Sequence, residues 1–295
     1  MIELENANKA ICFGEILWDN LPSGRSAGGA PMNVAYHLRK LGVDASLVSR
    51  VGDDQAGKEL VEFVSSIGIP AENIQVDSHH STSEVIGTLL ANNEMSYDIV
   101  FPSAWDYITD QYHFEKQVAA ADVFVFGSLA ARNEASKNTL LALLEHSKFS
   151  VFDVNLRPPH YNEETISQLL SKADFVKLNE NEIVILGDWF TSFKSEEDVV
   201  KALMEQFELT ELLITKGADG GTYHNTSQSI NYSAQKIEVV DTVGSGDSFL
   251  AAFLSKKLAG EPITDSLNFA AKLAGFVTSQ KGACPSYHVA DITLK

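Results

Sequence analysis

The stretch DTVGSGDSFLAAFL, Asp241 to Leu254, joins residues that suit an anion site to one that an anion site should repel. Gly244 and Gly246 flank Ser245, and glycine lets backbone N–H groups converge on an anion where a side chain would block approach. An apolar helical pattern begins at once, so the turn leads into a helix N-terminus whose free N–H groups and dipole favour negative charge. Asp247 nevertheless sets a carboxylate inside that turn. The chemistry must therefore need both an anion cradle and an acid beside it.

Five other segments carry residues of the same kind, and four of them follow a strand-like run. Ligands of open α/β sheets bind outside the carboxyl ends of the strands, so that placement matters. CFGEILWD puts Glu15 and Asp19 after the first run, and AGGAPMNVAYHL puts Gly28, Gly29 and Asn33 at a helix entrance. FDVNLRP offers Asp153, Asn155 and Arg157 at alternate positions, on one side if the strand continues. KLNENE supplies Asn179 and Glu182, whose i, i+3 spacing places them on one face of a helix start. TKGADGG, Thr215 to Gly221, supplies Gly217, Gly220 and Gly221 in a turn. Each has a scaffold reading as well, since polar residues and glycines at strand ends also turn the chain and cap helices.

Several familiar motifs fail on inspection. GDDQAGKE, Gly52 to Glu59, has the G-x-x-x-x-G-K spacing of a P-loop but carries Glu59 where Ser or Thr must hold Mg²⁺. It reads as a loop leading into a helix over Gly57 to Ser66. GSGDSF places Phe249 where a dinucleotide fingerprint needs a third small residue, which argues against a nicotinamide cofactor. His79 and His80 are adjacent rather than spaced as metal ligands and read as solvated loop residues. Cys12 and Cys284 are too few for a disulfide framework and read as small buried residues.

The elements that must position these residues follow from the hydrophobic pattern. Short runs, KAICFG, ASLVSRV, DVFVFG, FSVFDVN, DFVKLN and ELLITKG, alternate with helical stretches such as MNVAYHLRKLG and SEEDVVKALMEQF. That alternation predicts a largely parallel sheet covered on both faces. SEVIGTLLANNEMSYDIV, Ser83 to Val100, breaks it and predicts a β-hairpin placed to project as a flap. The chain has 295 residues, 44% of them hydrophobic, and no linker, low-complexity tract or repeat, so it reads as one α/β domain over 1–295 with a small β appendage. Its 22 Lys and Arg against 40 Asp and Glu give a net charge of −18, which argues against nucleic acid or an anionic membrane as partner. With no signal-peptide pattern and no long apolar span, a cytoplasmic location is expected.

Together these segments resemble the ribokinase-like (PfkB) family of carbohydrate kinases, from about Ala10 to Ser286. DTVGSGDSF is similar to its signature D-T-x-G-A-G-D-x-F, with Ser245 for the usual alanine. GGAPMNVAYHLRKLG followed by VGDDQAGKEL resembles the N-terminal signature, and NENE its N-x-x-E. The resemblance implies a three-layer αβα fold with a lid from about 84–100, helped by 17–26, and Asp247 as the base that deprotonates a sugar hydroxyl. It implies an anion hole of Gly244, Ser245, Gly246 and the Asp247 N–H, and sugar contacts from Asp19, Gly28, Gly29, Asn33 and Arg157. Thr215, Gly217, Gly220 and Asn179 would border ATP, Asn179 and Glu182 would act on Mg²⁺ through water, and Asp241 and Thr242 with the KGACPS loop would hold K⁺. Ala271 stands where many members carry Asn or His near adenine. GEILWDNLPSG and PSAWDYI look most like the fructokinase branch, with Trp105 and Asp106 either shaping the sugar pocket or packing. Phosphorylation of D-fructose is the implied reaction. Another ketose, 2-keto-3-deoxygluconate, a nucleoside, or a non-catalytic sugar-binding role are the alternatives, and the lid edge invites a homodimer.

Overall fold

The computed structural model describes residues 7–21, 24–89, 95–110 and 114–293. Its strands are β1 (Lys9–Phe13), β2 (Leu17–Leu21), β3 (Gly24–Gly28), β4 (Asp44–Gly52), β5 (Ile74–Asp77), β6 (Ser83–Leu89), β7 (Met95–Ile99), β8 (Val123–Gly127), β9 (Ser150–Asp153), β10 (Phe175–Asn179), β11 (Glu211–Thr215), β12 (Gly221–Asn225) and β13 (Ser229–Tyr232). Its helices are α1 (Ala30–Lys40), α2 (Gln55–Ser66), α3 (Phe114–Ala120), α4 (Glu134–Leu144), α5 (Glu163–Leu170), α6 (Glu180–Phe190), α7 (Glu196–Gln206), α8 (Ser245–Leu258), α9 (Ile263–Thr278) and α10 (Val289–Thr293). No helix among the described residues is long and apolar enough to cross a membrane.

A nine-stranded sheet runs in the order β13-β12-β11-β10-β9-β8-β1-β4-β5. It is parallel from β5 through β11, and β12 and β13 add an antiparallel edge. Alternate side chains of its central strands enter two separate apolar cores. Cys12, Val123 and Val125 pack with Met32, Leu250 and Leu273 on one face. Ile11, Phe13, Phe124 and Phe126 pack with Leu140, Ile166 and Leu186 on the other. Burial on both faces explains why VFVFG is a continuous apolar run rather than an alternating one. The result is the three-layer arrangement that the alternation of runs and helices predicts.

A second sheet of four strands, β3-β2-β6-β7, stands apart from the first. The hairpin expected over Ser83 to Val100 forms its β6–β7 pair, and residues 91–94 of its ANNE turn lie outside the described residues, as do Pro22 and Ser23. The segment 17–26 joins it as strands, β2 lying parallel to β6 and antiparallel to β3. Trp18 Nε1 donates to the Ala56 carbonyl at 3.0 Å, and Arg25 lies 3.9 Å above the Trp18 ring while pairing with Glu59. These contacts clasp the small sheet to α2.

The structure decides or refines four sequence expectations. Of the two readings of Trp105 and Asp106, packing is the one that fits: both are fully buried, with Asp106 paired to the Arg132 side chain at 2.7 Å and the guanidinium 3.9 Å above Trp105. His80 is a loop residue but only partly exposed, because it stacks on Tyr107 at 3.7 Å and lies 3.2 Å from Asp77. The strand through Asp153 stops there, and Asn155 has φ 40°, so 153, 155 and 157 do not share one pleat face. Finally, α2 starts at Gln55, capped by Asp54, whose Oδ1 accepts from Gly57 N at 2.7 Å. That cap accounts for the false P-loop spacing.

Candidate active site

α8 opens at Ser245, after Gly244 in the left-handed region at φ 75°. A Cβ on Gly244 would stand 2.5 Å from the Ala283 methyl, so both conformation and space require glycine there. Gly246 and Asp247 are the second and third residues of α8, where no helical carbonyl precedes their N–H groups. This is the turn singled out in the sequence, formed at a helix start as expected. The main chain there presents free helix-start N–H groups, as expected of an anion cradle, and the side chain of Asp247 is engaged elsewhere: its Oδ2 accepts from Asn33 Nδ2 at 2.7 Å.

The expected helix-terminus effect on Asp247 is outweighed. Burial first, then the Asp153 charge, push its carboxyl up to about 6, although Asn33, Lys177 and Arg157 pull it back. The group is still mostly ionised at neutral pH, with a basicity closer to that of a working proton acceptor.

Asn33 is carried on α1, whose entrance is Gly29 at φ 120°; a Cβ there would stand 2.4 Å from the Glu15 carbonyl. Glu15, at the end of β1, is buried, and its Oε1 accepts from Ala30 N at 3.1 Å. Burial pushes its carboxyl up to about 7, partly offset by backbone N–H groups, with Asp247 raising it further and Arg157 lowering it. Asp19 on β2 lies against Gly28 of β3: a Cβ on Gly28 would stand 2.5 Å from Asp19 Oδ2, so the missing side chain makes room for the carboxylate. Burial raises the Asp19 carboxyl and the Arg157 charge lowers it. One exposed arginine is thus felt by Glu15, Asp19 and Asp247 together.

Lys177 went unrecognised in the sequence, where it reads only as a residue of the strand DFVKLN. It sits directly opposite Asp153 in the β9–β10 register, and its Nζ meets both Asp153 oxygens at 2.8 and 2.9 Å. Burial works against the charge, but Asp153 outweighs it and the Lys177 pKa rises. A Cβ on Gly246 would stand 3.2 Å from that Nζ, so the ammonium lies beside the anion cradle. A lone lysine in a buried run was the available signal, because a buried lysine needs a partner.

Asn179 and Glu182 form a capping box at the start of α6. Asn179 Oδ1 accepts from Asn181 N and Glu182 N, while Glu182 Oε2 accepts from Asn179 N and Oε1 from Leu156 N, both at 2.8 Å. Burial, then the Asp153 charge, raise the Glu182 carboxyl. Among the described residues no three His, Cys, Asp or Glu side chains converge as a metal site. These residues do not fit a resident, directly ligated metal; Glu182 retains lone pairs only for an outer, water-mediated role. Asp241 does meet the KGACPS loop, accepting from Gly282 N at 3.0 Å and from Val243 N.

On the other side of Gly246 lies a cavity of about 660 Å³, within the size range of small-molecule sites. Thr215, Gly217, Gly220, Thr242, Ser245 and Ala271 all line it. Much of its wall, Ala234 to Ile237 and Val239, had no counterpart in the sequence reading. No sequence signal marks it, because the exposure of Val239, 62%, beside the cleft is known only once the chain is folded.

A large mostly parallel sheet, free N–H groups at a helix start and a buried carboxylate beside them are the arrangement expected of an α/β group-transfer enzyme. The family model of pfkB carbohydrate kinases matches residues 3–290, and the chain belongs to that family. It is a phosphotransferase acting on a sugar hydroxyl. Among curated relatives, a probable fructokinase-5 of Arabidopsis thaliana is 28% identical over 314 residues, covering 96% of this chain and 95% of its own. Among solved structures, fructokinase with bound ATP from Xylella fastidiosa aligns with a TM-score of 0.87 at 23% identity over 97% of each chain. A double mutant of Vibrio cholerae O395 fructokinase, in fructose, ADP and potassium ion bound form, aligns at 0.83 with 22% identity, also over 97% of each.

Proposed function

We propose that this chain transfers the γ-phosphate of ATP to the primary hydroxyl of D-fructose, giving fructose 6-phosphate. The observation that carries the reading is the position of Asp247 at the joint between the 660 Å³ cavity, which ends on Ser245 and Gly246, and the group of Glu15, Asp19 and Arg157. The nucleotide occupies the cavity, against Thr215, Gly217 and Gly220, with Asn179, which caps α6 and does not line the cavity, bordering it only from a distance, and the sugar occupies the Asp19, Gly28, Gly29, Asn33 and Arg157 side.

Asp247 accepts the hydroxyl proton as the oxygen attacks in line, and the N–H groups of Gly246 and Asp247 stabilise charge on the transferred phosphoryl group. Magnesium arrives as part of the nucleotide substrate, coordinated by phosphate oxygens and water, with Glu182 acting on that water. The small sheet serves as a lid, excluding water that would otherwise take the phosphate. Asp241 and Thr242 with residues 281–286 are the proposed K⁺ site, and the lid is the proposed contact of a homodimer. The fructokinase relatives favour fructose among sugars.

A coupled assay of ADP release tests the reading with fructose, other ketoses, 2-keto-3-deoxygluconate and nucleosides. Turnover of fructose with the highest kcat/KM is expected. Preference for another acceptor would replace the substrate, and turnover of none would sink the kinase reading in favour of a sugar-binding role.

A further inference from the structure

Asn33, Tyr36 and His37 stand at i, i+3 and i+4 of α1, and all three touch the 281–286 loop. Tyr36 Oη donates to the Pro285 carbonyl at 2.7 Å, and His37 Nε2 lies 2.9 Å from the Ala283 carbonyl. The third contact reaches the reaction centre. Cys284 Sγ donates to Asn33 Oδ1 at 3.4 Å, and Asn33 Nδ2 donates to Asp247 Oδ2 at 2.7 Å.

The direction of that chain is fixed by chemistry. A thiol offers one S–H donor, and the Cys284 sulfur lies against the Asn33 amide oxygen, which can only accept. The Asn33 amide therefore meets a donor on its oxygen and an acceptor on its nitrogen. Turned end for end, it would set its oxygen against the carboxylate and lose both contacts. The stronger bond to the carboxylate sets this orientation, and the S–H bond adds to it and holds the amide oxygen in place.

We propose that Cys284 is a positioning residue for proton transfer: its S–H fixes the Asn33 amide, which orients the Asp247 carboxylate and leaves Oδ1 to accept the substrate proton. The proposal rests on the phosphoryl-transfer reading given above. Besides Cys284, the groups that bear on Asp247 are Glu15 at the end of β1, Asp153 on β9, Lys177 on β10 and Arg157 after β9. None of these donates to Oδ2 in place of Asn33 in the structure, so loss of the amide orientation removes a bond that favours the ionised carboxylate.

The test compares Cys284→Val, which fills the space without a donor, with Cys284→Ser, which keeps one. Asp247 is titrated directly by infrared difference spectroscopy against Asp247→Asn, which separates it from Glu15, and kcat is followed with pH. Cys284→Val should raise the Asp247 midpoint by about half a pH unit and lower kcat up to about threefold on the acid side, with rates converging above about pH 8. Cys284→Ser should restore the wild-type midpoint. A folded Cys284→Val with unchanged midpoint and profile overturns the proposal, as does a serine variant that behaves like valine. Should the variants not fold, the wild-type S–H stretch decides: Asn33→Leu must move the Cys284 band, and a band that stays put overturns the relay. The infrared readouts need no turnover, so absence of kinase activity would sink the functional reading while leaving the relay to be judged by its own result.

Discussion

Asp247 is costly to the fold, and the proposed reaction assigns it the proton-accepting role. Its carboxyl, ordinarily at 3.8, is pushed up to about 6 by burial and by Asp153. The folded protein therefore prefers the neutral acid, and the stability this preference gives is lost as pH rises through about 6. Asp247→Asn, which removes the charge and keeps the shape, should stabilise the protein on the order of 2–3 kcal/mol at pH 8 and very little at pH 4. Melting curves at the two pH values check it, and an equal effect at both would remove the buried charge as the cause. Activity moves the other way. Asp247→Ala should lower kcat at least about 10²-fold while sugar affinity changes less, and wild-type kcat/KM should fall as pH drops through about 6 because a base must be ionised to act. A mutant with near wild-type kcat would take Asp247 out of the base role.

At the scale of elements, the small sheet is tied down by a residue that does not line the cavity. Arg132, fully buried, donates to the Ile99 and Val100 carbonyls at the end of β7 and to Asp106, tying that hairpin to the α/β body. Arg132→Met strands the Asp106 charge and should cost about 3–5 kcal/mol in denaturant melts, and Asp106→Leu added to it should recover part of the loss. If the loosened sheet is the lid, KM for the sugar rises in the double variant as well; an unchanged KM would separate this anchor from substrate binding. The hairpin itself was legible, because two β-branched runs around a polar turn have a period that helices lack. Its anchor was not, since Arg132, Asp106 and Trp105 are scattered in sequence and meet only through packing. The same contrast holds at the site. Gly244, Gly246 and Asp247 announce themselves within four positions, whereas Lys177 depends on the β9–β10 register that sets it opposite Asp153. Likewise β12 and β13 are missing from the strand-like runs: GTYHN and SINY mix polar residues into short runs at the sheet edge, which weakens the apolar pattern.

For the whole molecule, the net charge of −18 bears on a substrate that is itself an anion. The local site carries cations, Lys177 beside Gly246, Lys236 on the cavity wall and Arg157 near the carboxylates. Lys177, however, is neutralised by Asp153 at contact distance, so little of its field reaches beyond the site. At low ionic strength the approach of the nucleotide is governed by the global charge, which repels it over a Debye length of about 30 Å at 0.01 M and only about 8 Å at 0.15 M. KM for the nucleotide should therefore fall several-fold as tetramethylammonium chloride is raised from about 0.01 to 0.15 M, at fixed Mg²⁺ and K⁺. KM for the uncharged sugar should not follow, because no long-range force acts on it. A nucleotide KM that rises with salt would mean the local cations dominate the approach; an equal response of both substrates would point to a change in the protein rather than to its field.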